Sequence, residues 1–271
     1  MARRKTQLAN VVEPIKQLRP PNNEQRGVIM KNNKKYLVIL LFLFLSFGEV
    51  QILHAYTETP VENGGGLSGT ITLKGEPPVD QPEKVVFNPE YCGNTVYGET
   101  YIVNPQNKGL ENVVISIVGI EKGKKAEDRP ILLEILKCRF APHVIAGIVG
   151  NSYEVRNLDP IMHNYHTRLS GKTILNVALP PQGKNIKKPL SEVGIINASC
   201  DTHTFMKSSI FVAENPYFAV TDKNGNYSIS NIPPGKYRVQ TWHEGLRSVQ
   251  EEEVTISPNK KTNLSIDLAL Q

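Results

Sequence analysis

Long apolar runs are almost missing from this sequence. The one that exists, Tyr36 to Phe47 (YLVILLFLFLSF), has 12 residues, too short for a bilayer core that takes roughly 20 to cross. Basic residues at Lys31 to Lys35 precede it and Leu53-His54-Ala55 follows, which gives the charged, apolar and small-residue parts of a secretory signal. The expectation is a signal region over residues 1–55, cleaved after Ala55. The mature chain, Tyr56 to Gln271, is then exported to the periplasm or an equivalent extracytoplasmic compartment, with no transmembrane span after cleavage. Met30 opens an ordinary signal peptide by itself, so Met1 and Met30 both stand as starts.

An excess of one charge sign is missing once that region is set aside. Residues 1–55 hold nine Lys/Arg against three Asp/Glu, which leaves 22 basic and 23 acidic residues beyond them in place of the formal +5 of the whole chain. Neutralising phosphates demands a basic face, so a nucleic-acid partner gets no support. Recognisable catalytic constellations are missing too: there is no G-x-S-x-G, H-E-x-x-H, Walker loop or C-x-x-C-H haem attachment. No enzymatic turnover by this chain alone is expected. Cysteine is scarce and odd in number, with Cys92, Cys138 and Cys200 all beyond residue 55. An odd count in an exported protein calls for a free thiol or a metal thiolate. The simplest division is a Cys92–Cys138 disulfide with Cys200 left for a metal; the competing one is a structural bridge that uses Cys200.

Helical periodicity is absent over any useful length, and strand-like runs take its place. LSGTITL, NVVISIVGI, NSYEVRN, SSIFVAE, NYSISNI, KYRVQTW and TNLSIDL carry β-branched and aromatic residues at alternate positions. Between them lie the turn segments EPPVDQPE, NKG, LPPQGKN, DKNGN and IPPG, where Pro fixes φ and Gly or Asn accepts φ > 0. The class expected is all-β. Tyr217 to Trp242 reads YFAVTDKNGNYSISNIPPGKYRVQTW, in which a D-x-N-G hairpin is predicted to join two short strands and a P-P-G turn to launch a third. From Pro216 to about Leu268 this resembles the carboxypeptidase regulatory-like (transthyretin-like) β-sandwich module. The opening strands of that module are missing directly upstream, and GTITL at Gly69 and LENVVISI at Leu110 supply them far earlier in the chain. Residues 66–127 and 216–271 are therefore expected to form one discontinuous Ig/transthyretin-like sandwich, with residues 128–215 inserted in it. Insertion at a loop tip is tolerated because the two ends of the loop lie close together. Two domains in tandem, with the early strands in the middle one, is the alternative.

The middle segment holds the sharpest signal. Asn197 to Met206 reads NASCDTHTFM, a C-x2-H-x2-M spacing, and Asn157 to His166 reads NLDPIMHNYH. One short loop can turn a thiol, an imidazole and a thioether toward one point, and a different strand adds a second imidazole. Two imidazoles and a thiolate in a trigonal plane with a weak axial thioether are the ligands of a blue-copper site. Alone, His163 reads as an ordinary strand histidine, Cys200 as a buried thiol and Met206 as core filler; the combined spacing is what favours a metal.

With His163-Asn164 following Asn157 and with C-x-x-H-x-x-M closing the site, the segment resembles a small Greek-key cupredoxin of the amicyanin and plastocyanin kind. The resemblance implies one type 1 copper ion held by His163, Cys200 and His203, with Met206 as axial ligand. It also implies that Asn164 ties the His163 loop to the Cys200 loop. The long stretch between His166 and Ile195, including LPPQGKN, departs from the family and is expected to cover or reshape the rim. His166, three residues beyond His163, falls on the opposite face of a strand; His143 is given a structural role, and His243 a capping role in the other module.

The function expected is exported electron transfer, with a redox protein such as a cytochrome or exported oxidoreductase docking where the His203 edge reaches the surface. The alternative is a structural or assembly subunit of an envelope redox complex, the metal site vestigial or stabilising. A third reading is copper delivery.

Overall fold

A computed structural model of the protein describes residues 56–79, 81–128, 130–246 and 249–269; the signal region expected at 1–55 lies outside them. The chain is all-β: among the described residues the one α-helical element is the single turn Pro89–Cys92. No helix there is long and apolar enough to cross a membrane.

Two hydrophobic cores organise the strands. The first is enclosed by two sheets. One is ordered Phe218–Val220, Val114–Val118, Gly235–Trp242, Gln250–Ile256; in the other, Gly65–Lys74 pairs with Asn226–Ile232 on one side and with Lys261–Asn263 and Ile266–Ala269 on the other. Alternation along Gly65–Lys74 turns Leu67, Ile71 and Leu73 inward and Ser68, Thr70 and Thr72 away, the period of a strand with one face covered. Leu67, Ile71, Leu110 and Ile115 are fully buried, and each such side chain contributes about 1.5–3 kcal/mol. This core therefore draws on residues 67–120 and 217–268, while the strands between them in sequence build the other.

The D-x-N-G turn is not a hairpin. Phe218–Val220 before it pairs with Val114–Val118, and Asn226–Ile232 after it pairs with Gly65–Lys74, in the opposite sheet. The turn chemistry is as read: Asp222 Oδ1 accepts the N–H groups of Asn224 and Asn226 at 2.8 and 2.9 Å, and Gly225 takes φ 77°. A Cβ at Gly225 would run into the Ile71 carbonyl, so glycine also lets the corner close onto the Gly65–Lys74 strand. Local chemistry fixes the reversal, whereas burial on both sides decides that the chain changes sheets. The P-P-G segment makes a second such crossing, since Gly235–Trp242 returns to the first sheet.

The second core lies between the sheet Ile186–Pro189, Ser152–Asn157, Ile131–Leu136, Arg139–Ala141 and the sheet Lys172–Leu179, His163–Leu169, Gly194–Ser199, Lys207–Ala213, Val144–Ile148. Both sheets are mixed, with parallel pairs at Tyr153↔Ile131 and Ser209↔Val144. Tyr165 stands at its centre, edge-on to Phe140 at 5.8 Å and Tyr153 at 6.2 Å between ring centroids, the geometry that aromatic quadrupoles favour.

One piece of the earlier sequence crosses over. Glu83–Lys84 and Thr95–Val96 form a two-stranded ribbon, and the helical turn between them packs Tyr91 and Cys92 against the second core. Cys92 is disulfide-bonded to Cys138, with Cα atoms 5.5 Å apart and a sequence separation of 46. Cys200 is a free, buried cysteine, so of the two divisions the cysteine count permits, the first is the one the fold adopts.

Candidate metal centre

Two neighbouring strands and one loop build the site. Gly194–Ser199 pairs with His163–Leu169, placing Ser199 opposite His166, and the chain then turns through Cys200–Met206 into Lys207–Ala213. The loop closes on its own main chain: Met206 N–H donates to His203 O at 2.9 Å and Cys200 N–H to Met206 O at 3.3 Å. His163 opens the adjoining strand, opposite Leu179. Cys200 Sγ, one ring nitrogen of His163 and one of His203 consequently lie within 4.8 Å of one another, all three residues buried. The His163 and His203 ring centroids are 4.9 Å apart. Cys200 Sγ lies 3.7 Å from His203 Nδ1 and accepts the N–H groups of Asn164 and His203, each at 3.4 Å. Met206 is buried in the same core cluster.

Burial disfavours the charged form of both rings. Burial pushes His163 below its ordinary imidazole value, partly offset by the Asp159 carboxylate. Burial and then the neighbouring His163 push His203 the same way. His163 Nδ1 is buried without a hydrogen-bond partner, which costs free energy wherever nothing satisfies the lone pair. A buried imidazole nitrogen without a partner, on a residue grouped with a free buried thiol, is the observation by which this site fits a soft transition-metal ion. The residues able to hold one are His163, Cys200 and His203, with Met206 closing the same loop.

Asn164 makes the tie expected of it: its Oδ1 accepts Asp201 N–H at 3.1 Å, and its Nδ2 reaches Asn176 Oδ1 at 2.6 Å. His166 faces away from His163 and bonds Asp201 Oδ1 and Thr173 Oγ1, each at 2.8 Å. His143 is buried and paired across the two sandwiches with Glu244, Nε2 to Oε1 2.5 Å. His243, fully buried, lies beside Tyr101 with ring centroids 5.5 Å apart.

One expectation about the rim is corrected. The His203 ring does not reach the surface: the residue is 1% exposed, and the main chain of Phe87, from the segment that carries Cys92, lies close enough to act on its charge. Of the stretch between His166 and Ile195, Leu179 pairs with His163 and Asn176 bonds both Asn164 and Asp201, while Ile186–Pro189 crosses to the other sheet to pair with Ser152–Asn157. Sequence reasoning missed one residue altogether. Asp159, fully buried, places Oδ2 2.9 Å from His163 Nε2; its only signal was an acidic residue four positions before the histidine in an otherwise apolar turn.

Fold and site thus define an all-β protein in which a buried His-Cys-His cluster sits at one end of a β-sandwich that lies beside a second one. Residues 208–269 match the model of the carboxypeptidase regulatory-like domain. The first eight residues of that match lie in or just after Lys207–Ala213, a strand of the second sandwich; Gly65–Lys74 and Val114–Val118 supply the strands that pair with the rest. Rhamnogalacturonate lyase B of Emericella nidulans is 28% identical over 82 residues, 30% of this chain and 12% of that protein. Among solved structures, a Cu-containing nitrite reductase (NirK) from Thermus scotoductus SA-01 matches with TM-score 0.30 and 21% identity, over 34% of this chain and 24% of the other. A purple cupredoxin from Nitrosopumilus maritimus matches with TM-score 0.28 and 20% identity, over 31% of this chain and 99% of the other. A mutant amicyanin in its reduced state matches with TM-score 0.29 and 18% identity, over 36% of this chain and 98% of the other. The chain spans only a small part of the lyase and of the reductase.

Proposed function

We propose that this chain is an exported, blue-copper-type electron-transfer protein. His163, Cys200, His203 and Met206 would hold one copper ion, which would supply one-electron chemistry. The observation that carries the reading is the convergence of three buried ligand atoms within 4.8 Å of one another, on residues that include the unpartnered His163 Nδ1. A thiolate, two imidazoles and a thioether leave no open position for substrate, so the protein's task is to fix these groups, exclude water and exchange electrons through its surface, without turnover of its own. A redox protein such as a cytochrome or an exported oxidoreductase is the partner class, met in a small, transient encounter. The discontinuous sandwich of 66–127 and 216–271 is read as the frame into which 128–215 is inserted.

The test is copper loading of the purified chain followed by visible absorption and electrochemistry. A strong thiolate-to-copper band near ~600 nm with reversible cycling is expected; a colourless protein that binds copper sinks the carrier. Burial of His203 favours the second reading, an envelope assembly subunit whose metal only stabilises. There the melting temperature rises on loading and no reversible redox wave appears.

A further inference from the structure

Asp159 is the one acidic residue in the buried class among the described residues, and the fold builds a cradle for it. Lys137 and Cys138 form the two-residue turn between Ile131–Leu136 and Arg139–Ala141, with φ 51° and 58°. A type I′ turn requires positive φ at both central positions, and non-glycine residues adopt it at a cost. The strained turn aims both amides at one carboxylate: Lys137 N–H donates to Asp159 Oδ1 at 2.6 Å and Cys138 N–H to Oδ2 at 2.8 Å. From the other half of the disulfide, Tyr91 O–H donates to Oδ1 at 2.8 Å. His163 Nε2, 2.9 Å from Oδ2, is the fourth contact. Burial alone would push this carboxyl up, but the Cys138 amide, the Tyr91 hydroxyl, the His163 ring and the Lys137 amide together hold it below its ordinary value.

A carboxylate that already takes three donors accepts from His163 only if Nε2 carries the ring proton, which fixes Nδ1 as the lone-pair nitrogen. That is the nitrogen found buried and unpartnered. We propose that Asp159 is a positioning residue that locks His163 in its Nε2–H tautomer and, by placing a buried negative charge behind the ring, favours the oxidised over the reduced form of the metal bound in front. This rests on the copper reading for the second effect but not for the first. An anion hydrogen-bonded to a ligand imidazole raises its basicity, and the higher charge state gains more from it. Tyr91 tunes the same effect in the opposite sense, by drawing charge from the carboxylate.

Three measurements test this. Imidazole nitrogen NMR of the copper-free chain is expected to show His163 as the Nε2–H tautomer; the Nδ1–H tautomer there overturns the proposal whether or not copper binds. In the copper-loaded chain, Asp159→Asn shifts the equilibrium toward the reduced form at least tenfold, about 59 mV for one electron, with the thiolate band retained. Tyr91→Phe shifts it two- to threefold the other way. Unchanged potentials in both variants, or shifts of the same sign, overturn the proposal. Should Asp159→Asn fail to fold, the tautomer and the sign of the Tyr91→Phe shift still decide it. A wild-type chain without the thiolate band instead refutes the copper reading and leaves the tautomer test standing.

Discussion

The two sandwiches are alike in strand content and differ in where their buried ionisable groups gather. In the first, Asn215 and Thr221 close main-chain gaps: Asn215 Nδ2 donates to Ile117 O, and Thr221 Oγ1 both donates to Leu110 O and accepts Val113 N–H. These groups serve the fold. In the second, one end of the core gathers a thiol, two imidazoles and a carboxyl. The first sandwich also buries an imidazole with an unpartnered nitrogen, His243, but alone; clustering of ionisable groups is not how a core gains stability, and that clustering, more than the strand count, sets the second sandwich apart.

Perturbing each side separately tests the contrast. The largest effect is expected from the disulfide. It closes a loop with a sequence separation of 46, worth about 4 kcal/mol on chain-entropy grounds. Cys92→Ser with Cys138→Ser should lower the urea midpoint accordingly. It should also bleach the thiolate band before the fluorescence of Trp242, the single tryptophan, which lies on the first sandwich. Coincident transitions would contradict the separation of roles. Next, Ile71→Ala in the first core should cost about 3 kcal/mol by denaturation and leave the band unchanged below its melt. A matched pair of amides comes third. Asn215→Ala should cost about 2 kcal/mol by leaving buried main-chain groups unpaired and spare the spectrum. Asn164→Ala should cost about 1 kcal/mol yet move or broaden the band, because it releases the Cys200 loop.

The smallest effect is at the junction. Burial works against a proton on His143, but Glu244 and then Glu99 outweigh it and raise its pKa. A raised folded-state value means the contribution is complete below the ordinary imidazole pKa and is lost as pH rises through the raised value. Glu244 is held below its ordinary value, chiefly by His143 against the cost of burial, so its share is lost as pH falls through that depressed value. The difference between wild type and His143→Gln in melting temperature should thus be largest in mildly acidic solution and shrink on either side. A difference that grows toward alkaline pH would reverse the sign and refute the assignment.

What the residues revealed beforehand was whatever is local or set by spacing. The strands at LSGTITL, NSYEVRN and KYRVQTW alternate and were legible, as was the C-x2-H part of the loop, whose thiol and imidazole meet because so little chain separates them. Pairing across the molecule was not. Nothing near Asp222 tells a hairpin from a change of sheet, since the same Asx turn serves both. Nothing near Phe87 says that it will lie over His203, more than a hundred residues on. Asp159 was invisible for a related reason: a carboxyl in a turn is ordinarily solvated, and only the three-dimensional arrival of Lys137, Cys138 and Tyr91 makes a buried one tolerable.

The pairing of Gly65–Lys74 with Ile266–Ala269 has a consequence for the order of assembly. A ribosome delivers the chain from its N-terminus, so the Gly65–Lys74 strand emerges early and waits for partners made nearly two hundred residues later. The sheets around Tyr165 have all their strands by Ala213 and can close meanwhile. Sequence-distant pairings form slowly and leave edges exposed to misassociation. The sandwich around Tyr165 is therefore expected to mature first and to bring the two halves of its neighbour together.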